Sequence, residues 1–165
     1  MSETESPLAQ GASAKLAAQV ANTRYEGLPR EVVHAFKRAL LDARSIAHTV
    51  HGASGMYVPV LLERLGIAET MKPKTVTRPG GYIGGVVASG EAEIAVQQIV
   101  ELLAVPGIDI VGPLPGEIQK VFETAAGIFA ASKQPDEAEG LLRFLLAPAA
   151  AGVFTEKGLE QAGSG

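Results

Sequence analysis

Apolar residues recur at helical spacing over PREVVHAFKRALLDAR (29–44), where Val32, Val33, Phe36, Ala39, Leu40 and Ala43 line one stripe and Pro29 suits a first turn. The pattern then shortens. SIAHTV (45–50) and KTVT (74–77) are brief apolar runs of strand type, with a helix predicted between them from about Ser54 to Leu65, stopped by Gly66. Pro59 is expected in the first turn or so of that helix, where a missing N–H does little harm. GGYIGGVVAS (80–89) reads as helical despite its glycines, AEIAVQQI (92–99) as strand, VELLAV as a short helical turn, and GIDIVGPLP (107–115) as strand running into a loop. TAAGIFAAS (124–132) is a further apolar strand candidate. PDEAEGLLRFLL (135–146) carries Pro135, Asp136 and Glu137 at the positive end of a helix dipole, and a last helix is stopped at Gly158. Nearer the start, SAKLAAQVAN (13–22) shows a thinner helical stripe through Leu16, Ala17 and Val20, after a small, polar and expectedly disordered stretch at 1–12.

Alternation of helix and strand predicts an α/β fold, a layered sheet flanked by helices, with ligands at the carboxyl ends of the strands. A single domain is expected over 13–162, with a tail at 163–165. Composition agrees: 165 residues that are 47% apolar are enough for one real core, and 5% aromatics with 19 glycines favour close helix–sheet packing. A net charge of −4 provides no basic footprint for nucleic acid, and no apolar run nears the roughly 18 residues of a membrane span. With no cysteine there are no disulfides, thiol nucleophiles or thiolate metal sites. The opening MSETESPLAQGASA lacks the basic and apolar regions of a secretory signal, so the expected location is cytoplasmic as the chain stands, and periplasmic if that start is not native.

Chemistry concentrates at GASGMY (52–57), which lies between strand and helix. Helix N-terminal amides and the dipole make such a loop an anion cradle without basic side chains; the alternative is a tight connection with Ser54 as a plain N-cap. His48 and His51 are three apart but do not converge on a strand and turn, so no metal site is expected, and no cofactor. Tyr57 and Tyr82 are candidate phenolic hydrogen-bond donors in a cleft or, equally, amphipathic rim residues. Asp109, Glu91 and Glu93 read as solvated carboxylates. No nucleophile elbow, dinucleotide fingerprint or P-loop is present.

FKRALLDARSIAHT, GASGMYVPVLLERLGI, KPKTV, SGEAEIAVQQIVELLAVPGIDIVGPLP and DEAEGLLRFLLAPAAAGVFTEKGLE, in this order, resemble the molybdate-type (type 2) periplasmic solute-binding proteins of ABC transporters. The resemblance spans about 35–162 and matches lobe two and the C-terminal segment, so the fold it implies is one lobe of such a protein. It implies oxyanion binding by Ser54 with the amides of Gly55 and Met56, with Gly80 and Gly81 of RPGGYIGG facing the same cleft. Tyr57 joins them at the rim. Gln97 falls near the position where many molybdate binders supply a tyrosine after GEA, and completes the wall. In the family, GEIQK (116–120) would be a hinge; the plain alternative is a connector.

Three functions follow. The first is a truncated binding module for an oxyanion or small organic anion, forming a homodimer through the apolar face that a missing lobe would leave at 121–158. The second is an isomerase or lyase acting on a small, largely apolar substrate, with Tyr57, Tyr82 or His48 as acid or base. The third is a non-catalytic interaction domain.

Overall fold

A computed structural model of the chain describes residues 30–161. The stretch at 1–12, the helix expected at 13–22 and the tail at 163–165 lie outside the described residues, as do both ends of the expected domain. The described chain divides into two compact units between Lys120 and Val121.

The first unit is built on a parallel three-stranded sheet in the order β2-β1-β3, with β1 at Ile46–Thr49, β2 at Thr75–Arg78 and β3 at Ile94–Ala95. Every residue of β1 is buried, as a central strand covered on both faces requires. Ile46 stands level with Thr75 on one side and Ile94 on the other. Successive side chains point to opposite faces, and the two faces have separate cores. Ile46 joins Phe36, Leu40, Val58, Leu61 and Met71, and Ala47 joins Ile83, Val86 and Ala92.

The helices supplying these cores follow from the apolar stripes. α1 (Arg30–Asp42) buries Ala35, Phe36 and Leu40, α2 (Gly52–Arg64) buries Val58, Leu61 and Leu62, and the short α3 (Ala68–Met71) buries Met71. α4 (Gly84–Ala88) covers the other face, and the short α5 (Ile99–Leu102) follows β3. The chain leaves α1 under control of a cation: Lys74 Nζ donates to the carbonyls of Leu41 at 2.7 Å and Ala43 at 2.9 Å, which a helix end leaves open. Gly66 closes the α2 exit at φ +65°, the left-handed geometry expected of it.

Several expectations change. α2 starts at Gly52, not Ser54, so Pro59 is its eighth residue and removes a donor from the Gly55 carbonyl within the helix. The strand expected over 92–99 contracts to Ile94–Ala95, and the run at 107–115 forms no strand. Pro113 and Pro115 lack donors, and Gly112 sits at φ +137°, so that run cannot sustain a ladder.

The second unit contains α6 (Pro135–Leu146), with the predicted bounds, and α7 (Pro148–Glu156), bent from it by 68°. Gln161 Nε2 ties its end to the carbonyls of Leu145 and Ala147. The apolar stretch 124–132 is irregular, having no strand to pair with among the described residues. Large apolar side chains of this unit are exposed, including Phe129, Leu141, Phe144 and Leu146. Among the described residues no single helix is long and apolar enough to cross a membrane.

Candidate functional site

Parallel pairing brings the carboxyl ends of all three strands to one edge of the sheet, and a pocket of about 260 Å³ opens there. Its lining comes from three segments: Thr49 at the end of β1 with His51, Gly52, Ala53 and Ser54 following it, Gly80 and Gly81 after β2, and Glu101 from α5 after β3. The first two segments are stitched together by backbone bonds, Val50 N–H to the Arg78 carbonyl at 2.7 Å and His51 N–H to the Pro79 carbonyl at 3.2 Å.

Within the first segment, Gly52 takes φ +84°, which turns the chain sharply from strand into helix. α2 then packs against the end of β1 so closely that a Cβ on Gly55 would lie 2.4 Å from the Val50 carbonyl oxygen. The buried hydroxyls of Thr49 and Ser54 bond to each other at 2.8 Å. Because the helix begins at Gly52, the amides without an acceptor inside it are those of Gly52, Ala53 and Ser54. Helix geometry commits the amides of Gly55 and Met56 to the carbonyls of His51 and Gly52. The Met56 side chain is exposed.

Gly80 and Gly81 are exposed and would meet nothing with an added Cβ, though φ +86° at Gly81 constrains what can stand there. Gln97 has its carboxamide turned to that loop: Oε1 accepts from the Ile83 N–H at 2.8 Å and Nε2 donates to the Gly81 carbonyl at 2.7 Å. The remaining candidates are not among the lining residues. Tyr57 donates its hydroxyl to the Ile118 carbonyl and packs at the main core. His48 is buried, with Nδ1 at 2.7 Å from the Thr49 carbonyl, and Tyr82 is exposed beside the glycine loop.

Ser54, Gly80 and Gly81, which the resemblance places at one cleft, line this pocket together with Thr49, His51, Gly52, Ala53 and Glu101. Glu101 had no signal in its neighbourhood, an apolar helical turn; the parallel sheet alone carries it to the pocket. Glu101 and His51 are the titratable residues of the lining, which also includes the start of α2. Such a site combines donors suited to an anion with groups able to hold or move a proton. No group of three or more metal-ligating side chains gathers among the described residues.

Residues 14–160 match the bacterial extracellular solute-binding protein family. The chain belongs to this family. A curated relative, aconitate isomerase from Pseudomonas sp, is 38% identical over 127 residues, covering 76% of this chain and 48% of that protein. The chain thus spans about half the length of this relative. No solved structure shows a significant match. The three-stranded parallel sheet with its helices is consistent with a single lobe of a solute-binding-like domain, and a small-molecule ligand is consistent with the family.

Proposed function

We propose that the pocket at the ends of β1 and β2 binds a small organic anion. The outward amides of Gly52, Ala53 and Ser54 and the Gly80–Gly81 backbone would hold a carboxylate. The carrying observation is the joint lining of one pocket by the start of a 13-residue helix and a glycine loop, at the strand ends where ligands of such sheets lie. The aconitate isomerase relative puts a carboxylic acid first among probes. Molybdate comes second, on the resemblance of GASGMY and its neighbours to the molybdate binders of ABC transporters. The bare apolar side chains of the second unit suit a homodimer or a second lobe, separable by the mass of the protein in solution.

Isomerisation is the second reading, favoured by that relative's name and by Glu101 and His51 in the lining. A proton removed from one carbon of an unsaturated acid and returned at another needs no oxidant and no co-reactant. A carboxylate such as Glu101 can carry it across the step.

Calorimetric titration with aconitate and with molybdate, accompanied by NMR of the aconitate after incubation, tests both. Heat with aconitate and an unchanged spectrum supports binding alone; a changed spectrum supports isomerisation. Heat with neither anion removes the anion-binding reading.

A further inference from the structure

The Gly80–Gly81 loop has few means of holding its shape. Gly81 is at φ +86°, and around neither glycine would a Cβ find an atom within 4 Å. The two glycines thus have no side-chain packing of their own, and their backbone is held through its neighbours. On the β1 side the anchors are Arg78 and Pro79, whose carbonyls accept from Val50 and His51. On the other side Ile83 is buried in the core with Ala47, Val86 and Ala92, and a single side chain supplies the hydrogen bonds to the loop that precedes it. Gln97 accepts from Ile83 N–H and donates to the Gly81 carbonyl, two peptides bridged by a single carboxamide. Gln97 is itself held close to the sheet, since the adjacent Val96 N–H bonds to the Ala47 carbonyl at 3.0 Å and so prolongs the β1–β3 pairing.

We propose that Gln97 is a positioning residue: its carboxamide fixes the Gly80–Gly81 backbone in the conformation that forms the second wall of the pocket. The chemistry is specific to glutamine. A carboxamide offers an acceptor and a donor side by side, whereas a carboxylate keeps the acceptor and loses the donor, and a thioether loses both. A role as direct ligand is correspondingly reduced, because Oε1 and one N–H already have partners. The consequence for ligand affinity rests on the reading of this pocket as a small-anion site; the loop conformation does not.

The test uses the whole chain as wild type, Gln97→Glu and Gln97→Met, with site-resolved amide hydrogen exchange and calorimetric titration of aconitate. Exchange at Ile83 should rise by about tenfold or more in Gln97→Met, the size expected for losing such a bond, and stay slow in Gln97→Glu. The Tyr82 amide, which shares its peptide with the Gly81 carbonyl, should shift in both variants. Aconitate affinity should fall in both while the unfolding midpoint stays near that of wild type. Unchanged exchange at Ile83 in Gln97→Met overturns the proposal, as does faster exchange spread equally to core amides such as Ile46 and Leu61. A loosened loop with undiminished aconitate affinity removes the positioning role. If wild type binds no aconitate, the carboxylate reading fails, while the exchange at Ile83 and the shift at Tyr82 still decide whether Gln97 sets the loop.

Discussion

The hydroxyls of Thr49, the last residue of β1, and Ser54, the third residue of α2, bond to each other at 2.8 Å with both residues buried. The contact closes the turn on which the pocket is built, so its energy should appear in stability. Ser54→Ala strands the Thr49 hydroxyl and should destabilise by about 1–2 kcal/mol, and Thr49→Val should do likewise from the other side. Replacing both removes the pair together, and urea unfolding should show the double variant losing less than the sum. Strict additivity would mean that the two groups do not depend on each other.

Steric closeness makes a sharper demand at Gly55. Its missing Cβ would sit 2.4 Å from the Val50 oxygen and 2.7 Å from that of Thr49, both backbone atoms unable to swing away. Gly55→Ala should therefore cost about 3 kcal/mol or more, by overpacking, and lower soluble yield. Gly52→Ala faces open space and only the cost of φ +84°, about 1–2 kcal/mol. Equal urea midpoints for the two variants would contradict the close seating of α2 on β1.

The glycine loops of this site were legible because glycine has a physical signature: GASGMY and RPGGYIGG sit where a chain must turn between strand and helix, and Gly52 and Gly81 do take positive φ. The start of α2 was misplaced by two residues for lack of a capping side chain: His51 is the N-cap and makes no side-chain cap bond. That small shift moves the outward amides from Gly55 and Met56 to Gly52, Ala53 and Ser54. Helix α6 was legible to the residue, since Pro135 and two acids mark its start and its apolar stripe ends before Pro148. The runs at 107–115 and 124–132 were not, because apolar sequence becomes strand only where a neighbouring strand completes its hydrogen bonds. Glu101 depended on the pairing of β1 with β3, 48 residues apart at Ile46 and Ile94, which no local pattern reports.

Lys74 stabilises the end of α1 through two carbonyls, those of Leu41 and Ala43, at 2.7 and 2.9 Å. Charge-assisted bonds at a helix C-terminus outweigh ordinary surface contacts. Lys74→Met keeps much of the chain length and loses the donors, and should lower stability by about 1–3 kcal/mol without touching the pocket. Urea unfolding checks the loss, and an unaltered aconitate titration checks that it is confined to the α1 end. A stability equal to wild type would show those carbonyls to be served by water.

Glu101 separates the two functional readings. It places a carboxylate in the same lining as the outward amides of Gly52, Ala53 and Ser54, so it opposes an anion that those amides attract. Glu101→Gln removes the charge and keeps the shape. Anion affinity should then rise, by about three- to tenfold at low salt and less at high salt, as repulsion across a partly solvated pocket requires. Under the binding reading nothing else changes. Under the isomerase reading, the proton carrier is gone and turnover of aconitate should fall by about a hundredfold or more while binding tightens, since general acid–base groups contribute at least that much. Calorimetry and product NMR on the same pair of proteins read both quantities. Tighter binding with undiminished turnover would free Glu101 of any part in proton transfer and pass that role to His51. Weaker binding would mean that the Glu101 carboxylate accepts a hydrogen bond from the ligand, and the pocket would then be built for a hydrogen-bond donor rather than for an anion alone.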